Sequence, residues 1–473
     1  MTDEAPAEDS TDAKGASPAV IDARTFFTTR RRSREHRVAD GHARRAEVPL
    51  ASHAAPPPLA DRPEALQILR SQESSREPAL IPLRYARMAE SPFAFLRGAA
   101  AVMASDLSRV PRSGLDVQLC GDAHLANFGM FASAERTLMF DMNDFDETLP
   151  GSFDWDVKRL AVSMAVAAQS NGLKDKDARK AARVASESYR DTMADLSRMR
   201  TIDVWNARLD VDTLLERLTK SSLRKATVKA TDKSRKSTTE SALLKLTEVV
   251  DGKRRFRADP PTLTPGPEQE FEDVVDRFGP VYEEYLRTLQ ADRIALLAKY
   301  SFVDIAHKVV GVGSVGTRAI VLLLESGDGE PLLLQVKQAN PSVLEPYLGA
   351  SQFDNAGKRV VVGQRVMQAA GDPFLGWTRG SAKTPHDFYI RQLKDMKGSI
   401  DVTLLDKEGL IGYGQVCGAV LARAHARAGD ASLITGYLGD SAEFDNAVAD
   451  FSMAYAQVNV DDHASLVASI LGT

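Results

Sequence analysis

The chain carries two short polar motifs close together, Gly121-Asp122-Ala123-His124-Leu125-Ala126-Asn127 and Phe140-Asp141-Met142-Asn143-Asp144-Phe145-Asp146-Glu147. The first places an asparagine five residues after an aspartate, and the second adds a cluster of carboxylates shortly afterwards. Phosphoryl transfer needs one carboxylate to orient the attacking hydroxyl and accept its proton. It also needs carboxylate and amide oxygens that hold magnesium against the nucleotide phosphates. The two motifs therefore predict a phosphoryl-transfer site.

Short apolar runs precede both motifs. Residues 117–120 and 138–140 predict buried strands, so each polar motif follows the end of a strand. Loops at strand ends are where catalytic and metal-binding side chains are commonly presented. Asp122 is the predicted catalytic base, with His124 beside it. The alternative for Asp122 is structural, because Gly-Asp is a common turn and aspartate caps turns readily.

The second motif and the asparagine of the first supply the predicted metal ligands. Asn127 and Asp144 are expected to bind magnesium, and Asp146 or Glu147 would serve a second ion. Asp141 remains an alternative to Asp144 if the strand ends earlier. Asp156, at the start of the next helix, is expected to brace the first motif, although a carboxylate there also suits the helix dipole without any further role.

A glycine-rich turn and a lysine follow much later in the chain. The motif Gly311-Val312-Gly313-Ser314-Val315-Gly316 precedes two predicted strands, residues 320–324 and 332–337, the second ending at Lys337. Glycines let a backbone approach phosphates closely and the lysine would neutralise them. Arg318 is a further candidate phosphate contact, and Glu345 a candidate partner for the lysine. The alternative is a glycine-rich hairpin with a surface lysine.

Composition and charge restrict the class of protein. The hydrophobic fraction of 43% and charged fraction of 26% are ordinary for a globular protein. The net charge of −5 gives no reason to expect a nucleic-acid or membrane partner. Cys120 and Cys417 lie far apart without metal-ligand spacing, and no secretory or membrane-spanning segment is evident. We therefore expect a soluble cytoplasmic protein.

Local patterns divide the chain into five predicted regions. Residues 1–60 are expected to be a disordered tail, whose basic run 30–37 has a nucleic-acid-binding arm as the less favoured alternative. Residues 225–236 predict a mobile surface loop, and 360–362 and 388–390 predict further strands. The regions are the tail (1–60), a catalytic-lobe part (61–205), a helical insertion (206–295), a β lobe that covers the nucleotide (296–400) and C-terminal helices that complete the catalytic lobe (401–473).

The motifs resemble those of a known superfamily. Residues 121–127 are similar to the Gly-Asp-x-His-x-x-Asn loop of aminoglycoside and choline phosphotransferases, which are protein-kinase-like. Residues 143–146 resemble their metal motif, and 156–161 the helix that follows it. More specifically, the run from Arg84 to Glu147, with 362–365 and 421–427, looks like the bacterial domain of unknown function 2252 family. The similarity covers nearly everything from residue 60 onward.

The resemblance implies an α+β, protein-kinase-like bilobal fold with a helical catalytic lobe and a smaller antiparallel β lobe. In kinases the glycine turn and lysine precede the catalytic loop, whereas here they follow it, which implies a circular permutation. The implied function is an ATP- and Mg²⁺-dependent phosphotransferase that acts on a small-molecule hydroxyl. The alternatives are nucleotidyl transfer on the same fold, or a nucleotide-binding regulator or scaffold without turnover.

Overall fold

The computed structural model describes residues 27–30, 32–218, 221–237, 239–266, 271–309, 315–380, 385–393 and 396–472, with the side chains of 271–277 left out. Within these residues the protein combines a large helical part with small antiparallel sheets, which confirms the predicted α+β class. None of the described helices has both the length and the apolar character needed to cross a membrane.

The helices of the described residues are α1 (Arg34–Ala43), α2 (Ala65–Ser71), α3 (Ile81–Ala89), α4 (Pro92–Gly98), α5 (Ala100–Leu107), α6 (Asp154–Ser170), α7 (Asp175–Leu196), α8 (Thr201–Asn206), α9 (Val211–Arg217), α10 (Ser222–Arg235), α11 (Thr239–Leu246), α12 (Phe271–Leu286), α13 (Ala291–Leu297), α14 (Glu345–Leu348), α15 (Ala356–Met367), α16 (Lys407–Ala428), α17 (Ala431–Leu438) and α18 (Glu443–Leu471).

The strands of the described residues are β1 (Asp116–Leu119), β2 (Phe128–Ala132), β3 (Leu138–Met142), β4 (Leu149–Ser152), β5 (Thr247–Val250), β6 (Lys253–Phe256), β7 (Leu263–Pro265), β8 (Tyr300–Lys308), β9 (Ala319–Ser326), β10 (Pro331–Ala339), β11 (Gly376–Arg379) and β12 (Asp387–Gln392).

Helices α6, α7, α16 and α18 form the centre of the helical part. Helix α6 is buried from Asp154 to Ala168, so no face of this stretch is exposed to solvent. Gly418 of α16 lies so close to α7 that a Cβ there would stand 2.2 Å from the carbonyl oxygen of Ala185. Phe153, just before α6, stacks on Tyr189 of α7 with ring centroids 5.8 Å apart. This packing fixes the start of α6, which carries residues of the site.

Two hairpin-like pairings surround the polar motifs. Strand β1 pairs with β4, and β2 pairs with β3 in a register that places Phe128 opposite Met142. The backbone N–H of Asn143 donates to the carbonyl of Asn127 at 2.9 Å, which closes the β2–β3 hairpin at its open end. The end of the first motif and the start of the second are therefore adjacent in space.

The largest sheet is antiparallel, with six strands in the order β11-β12-β10-β9-β8-β7. Alternate residues point to opposite faces, as strand geometry requires. Leu323 and Leu333 join Phe256 in one apolar cluster, whereas Leu324 and Leu334 belong to another. Both faces are therefore covered, and the end of β10 projects toward the two polar motifs.

Part of the predicted tail is ordered, so that prediction is wrong for residues 34–54. Helix α1 packs on α17, and Gly436 lies so close that a Cβ there would stand 2.0 Å from the carbonyl oxygen of Val38. Arg37 pairs with Asp430 at 2.8 Å, and His53 is buried with Nε2 2.7 Å from the Tyr437 hydroxyl. Polar contacts hold this segment in place, and such contacts leave no apolar periodicity in the sequence. Residues 1–26 lie outside the described residues.

Two other local predictions are wrong. Residues 225–235 of the predicted mobile loop belong to α10, which Ser221 caps and which buries Leu223 and Thr227. Residues 360–362, predicted as a strand, lie in α15, where Asn355 accepts the N–H of Lys358 as an N-cap at 2.8 Å. Tertiary packing overrides the β preference of three consecutive valines there.

Candidate functional site

The first polar motif, Gly121–Asn127, is called the aspartate loop from here on. Gly121 has a φ of +83°, and a Cβ there would stand 2.2 Å from the carbonyl oxygen of Glu147, so only glycine fits. The Asp156 carboxylate accepts the N–H groups of Cys120 at 2.6 Å and Gly121 at 3.0 Å. His425 Nε2 lies 3.2 Å from the same carboxylate. Asp156 therefore braces the loop, as predicted.

Asp122 is held on one side and open on the other. Arg159 of α6 pairs with its Oδ1, with Nη2 at 2.7 Å and Nε at 2.9 Å. Its Oδ2 lies 3.6 Å from Nε2 of His124. Burial lowers the pKa of His124 to about 4, so this imidazole is neutral at pH 7. Sequence reasoning missed Arg159, although an arginine three residues after Asp156 in an apolar helix is a signal for a buried partner.

Asn127 joins the two motifs. Its amide nitrogen donates to the carbonyl of Asp122 at 3.1 Å and to the carbonyl of Asp144 at 3.0 Å. These two bonds fix the orientation of the amide group. The amide oxygen takes part in neither of them. Asn127 and Asp144 line the same cavity. Partial burial and the neighbouring Asp146 carboxylate raise the pKa of Asp144.

The second motif contributes an acidic loop, Asn143–Glu147, which contacts the six-stranded sheet. Lys337 of β10 is buried, and its Nζ lies 2.7 Å from Asp146 Oδ2 and 3.8 Å from Asp144 Oδ2. The Tyr389 hydroxyl, from β12, donates to Asp146 Oδ1 at 2.6 Å. Burial alone would raise the pKa of Asp146, but the Lys337 ammonium and the Tyr389 hydroxyl bring it below its usual value.

Glu345 does not pair with Lys337, which corrects the expected lysine–glutamate contact. Its carboxylate accepts the N–H of Ser342 at 3.0 Å and lies 3.9 Å from Nε of Arg359. Glu345 follows Lys337 by only eight residues, and its local bond at the start of α14 turns it away. The acidic partners of Lys337 in the described structure are Asp144 and Asp146.

Arg359 of α15 clamps the acidic loop to the sheet. Its guanidinium donates to the carbonyls of Thr148 at 2.6 Å, Asp146 at 2.7 Å and Asn340 at 2.8 Å. The side chain is 2% exposed. Sequence reasoning missed Arg359. The one signal of its buried role is its position directly before an apolar run of three valines.

The glycine-rich turn is only partly described, because Gly311 and Gly313 lie outside the described residues. Gly316 has a φ of +90°, and its carbonyl accepts the N–H of Glu77 at 2.7 Å. Arg76 Nη1 donates to the carbonyl of Val315 at 2.5 Å. The end of this turn therefore lies against the segment before α3.

Arg318 is directed away from the two motifs. Its Nη1 lies 2.6 Å from Nε2 of His386 and 3.4 Å from Oε1 of Gln338. Arg318 does not line the cavity into which Asp122 and Asp144 face. The structure therefore does not bring this predicted phosphate contact to the other site residues.

A cavity of about 360 Å³ brings several of the predicted residues together, although Lys337 does not line it. The aspartate loop, the acidic loop, the end of β10, the segment before α3 and the junction of α4 and α5 contribute to its walls. Asp146 is engaged by Lys337 and Tyr389. Within the described ranges, no group of three or more His, Cys, Asp or Glu residues is arranged to hold a metal ion. The predicted site residues that line the cavity are Asp122, His124, Asn127, Asp144 and Asp146.

The sequence was compared with models of known protein families. A model of a family described as uncharacterised proteins conserved in bacteria (DUF2252) matches residues 76–469. The chain belongs to this family. No curated protein and no solved structure matches it. The matched residues include the aspartate loop, the acidic loop and the six-stranded sheet, and of the residues that line the cavity only Gln72 and Ser75 precede the matched range.

Proposed function

We propose that this member of the DUF2252 family is an ATP- and magnesium-dependent phosphotransferase that acts on the hydroxyl of a small molecule. One observation supports it above the others. Asp122, Asn127 and Asp144 line one cavity, and Lys337 reaches the same acidic loop from 191 residues beyond Asp146. A base, two oxygen ligands and a buried cation are the groups that phosphoryl transfer requires.

In this proposal magnesium occupies one position. Asn127 and Asp144 would hold it, because the Asp144 side chain is 42% exposed and the Asn127 amide is already oriented. Bound magnesium would neutralise charge on the nucleotide phosphates. Each oxygen of Asp146 already accepts one hydrogen bond, from Lys337 or Tyr389, so a second ion at Asp146 would compete with the Lys337 ammonium for this carboxylate.

In this proposal Asp122 orients the acceptor hydroxyl and accepts its proton. Arg159 fixes Oδ1, which leaves Oδ2 to accept the proton of an acceptor hydroxyl. The acceptor oxygen would bond to the terminal phosphorus of ATP as the bond to ADP breaks. The neutral His124 ring beside Oδ2 would help orient the hydroxyl without adding charge. Lys337, next to both acidic side chains, would contact phosphate or keep the acidic loop in place.

A kinase-like, circularly permuted architecture is part of the proposal. Strands β8, β9 and β10, with a glycine-rich turn between the first two and a lysine on the third, are followed by helix α15. Protein kinases place a glycine loop, a strand lysine and a helix in the same order. Here the sheet follows the aspartate loop in the chain, yet its lysine contacts the acidic loop.

The lysine contacts also favour a second candidate, a nucleotide-binding regulator without turnover. Lys337 pairs with Asp146 rather than with a helix glutamate, which differs from the arrangement of active protein kinases. The presence of Asp122, Asn127 and Asp144 in one cavity favours an active enzyme, because a regulator has no need of the base.

Two successive measurements test the proposal. The melting temperature is compared with ATP plus magnesium, with ATP plus a chelator, and with neither, and ATP consumption is then followed across hydroxyl compounds. We expect magnesium-dependent stabilisation by ATP and consumption with at least one acceptor. Binding without consumption would favour the regulator, and absence of both ATP and ADP binding would refute both candidates.

A further inference from the structure

An arginine lies on the same cavity wall as the proposed base. Arg97, in the last turn of α4, lines the cavity together with Asp122. The preceding residue, Leu96, accepts Nη2 of Arg159 through its carbonyl at 2.6 Å, and Arg159 pairs with Asp122. The end of α4 is therefore attached to the aspartate loop, so Arg97 stands on the acceptor side of the cavity.

This arginine is not used to neutralise an acidic residue of the site. Asp122 already pairs with Arg159 and Asp146 with Lys337. Within the described residues, the Nε of Arg97 is buried without a hydrogen-bond partner. Burial lowers the pKa of Arg97, and the attraction of Asp122 and Glu90 only partly offsets that effect. A partly buried guanidinium without its own carboxylate is a ready site for an anion.

A second arginine that lines the cavity contacts the glycine-rich turn. Arg76 donates to the carbonyl of Val315, at the glycine-rich turn, and its Nε is also buried without a partner among the described residues. Glu147 and Asp146, on the acidic loop, are the acidic groups that attract it. Arg76 therefore lies on the proposed nucleotide side, which leaves Arg97 for the acceptor.

We propose that Arg97 binds a negatively charged group of the acceptor, so that the substrate is a small hydroxylated anion that carries a phosphate or a carboxylate. This inference rests on the proposed function. An arginine fork binds either group through two hydrogen bonds and would place the hydroxyl near Asp122. A cationic acceptor such as choline would instead be repelled by a partly buried guanidinium.

The test isolates the acceptor side by filling the nucleotide site. Inorganic phosphate is titrated calorimetrically into protein saturated with magnesium and a non-hydrolysable ATP analogue, which occupies the position of the terminal phosphate. Arg97→Gln removes the proposed contact. Arg112→Gln removes the same charge from an exposed position and serves as the matched control.

We expect phosphate to bind the wild type and the Arg112→Gln variant equally, and to bind Arg97→Gln at least about tenfold more weakly. The nucleotide analogue should bind all three proteins alike. If Arg97→Gln does not fold, Arg97→Lys, which keeps the charge but loses the fork, should give an intermediate affinity. Absence of phosphate binding by the wild type, or equal binding by the Arg97 variants, would overturn the inference.

Binding of the ATP analogue shows separately whether the proposed phosphotransferase function is wrong. If the analogue does not bind the wild type, the proposed phosphotransferase is wrong, and phosphate is then titrated into the nucleotide-free protein. An Arg97-dependent affinity in that titration would still support an anion site at Arg97. Equal affinity of wild type and Arg97→Gln would overturn the site as well.

Discussion

The two loops of the site are held in different ways. The aspartate loop is fixed from α6, since Asp156, Arg159 and Ser163 bond to residues of the loop or just before it. The acidic loop is fixed by distant parts of the chain, through Lys337 of the sheet and Arg359 of α15 among others. One half of the site is therefore built by nearby sequence, and the other depends on correct docking of the sheet. Substitutions in the support of the aspartate loop and in the support of the acidic loop should therefore differ in how much stability they remove.

The largest expected effect on stability comes from the local support. Asp156→Ala leaves the N–H groups of Cys120 and Gly121 buried without an acceptor, and we expect a loss of about 3–5 kcal/mol in the free energy of unfolding. Asp175→Ala also removes a carboxylate from the first turn of a helix, α7, but at an exposed site, and should cost less than about 1 kcal/mol. Urea denaturation measures both. Equal losses would mean that Asp156 serves only the helix dipole.

A smaller effect is expected at the distant support. Arg359→Met leaves three carbonyls without their donor, and we expect a loss of about 2–4 kcal/mol together with weaker nucleotide binding. Lys358→Met, at the adjacent residue, loses only contacts with the rings of Phe353 and Trp377 and should cost about 1 kcal/mol or less. An Arg359→Met protein with wild-type stability and nucleotide affinity would show that the acidic loop does not need the sheet.

The smallest effect is a pH dependence in the acidic loop. Burial raises the pKa of Glu147 from 4.5 to about 7, so the folded state favours the protonated form. Its contribution to stability is therefore present below pH 4.5 and is lost as the pH rises through about 7. Because solvent reaches Glu147 on the cavity wall, we expect the loss between pH 5 and 8 to be about 1 kcal/mol.

Glu147→Gln removes this titration and retains an oxygen that can accept the N–H of Val343. Unfolding free energies at pH 5 and pH 8 should therefore differ less in the variant than in the wild type. A wild type that gains stability over this interval relative to the variant would contradict the sign of the argument.

The same difference between the loops explains what the sequence could predict. The bracing of the aspartate loop by Asp156 could be predicted, because Asp156 begins the helix that follows the two motifs closely in the chain. The supports of the acidic loop could not be predicted, because the partners of Lys337 and Arg359 are far away in the chain and depend on how the sheet docks. Glu345 is close to Lys337 in sequence, but a local bond to Ser342 determines its position.

Errors elsewhere in the fold have a related cause. The segment 34–54 is polar and lacks periodicity, yet it is held by bonds to α17 such as that between Arg37 and Asp430. The valines at 360–362 favour a strand locally, but the N-cap at Asn355 and burial against the helical core make them helical. Both outcomes depend on partners that composition and period do not specify.

Paired variants test directly whether Asp122 acts on the acceptor while Asp144 holds the metal. Magnesium-dependent ATP affinity and ATP consumption are measured for Asp122→Asn and Asp144→Asn, with melting temperatures as the check on folding. Asparagine at 122 retains an oxygen for Arg159, so ATP affinity should stay within about threefold while consumption falls by about 10²–10⁴-fold. Asp144→Asn should weaken magnesium-dependent ATP binding by about tenfold or more. An Asp122→Asn protein that melts earlier yet consumes ATP at the wild-type rate would contradict the account, because Asp122 would then be only a structural turn residue.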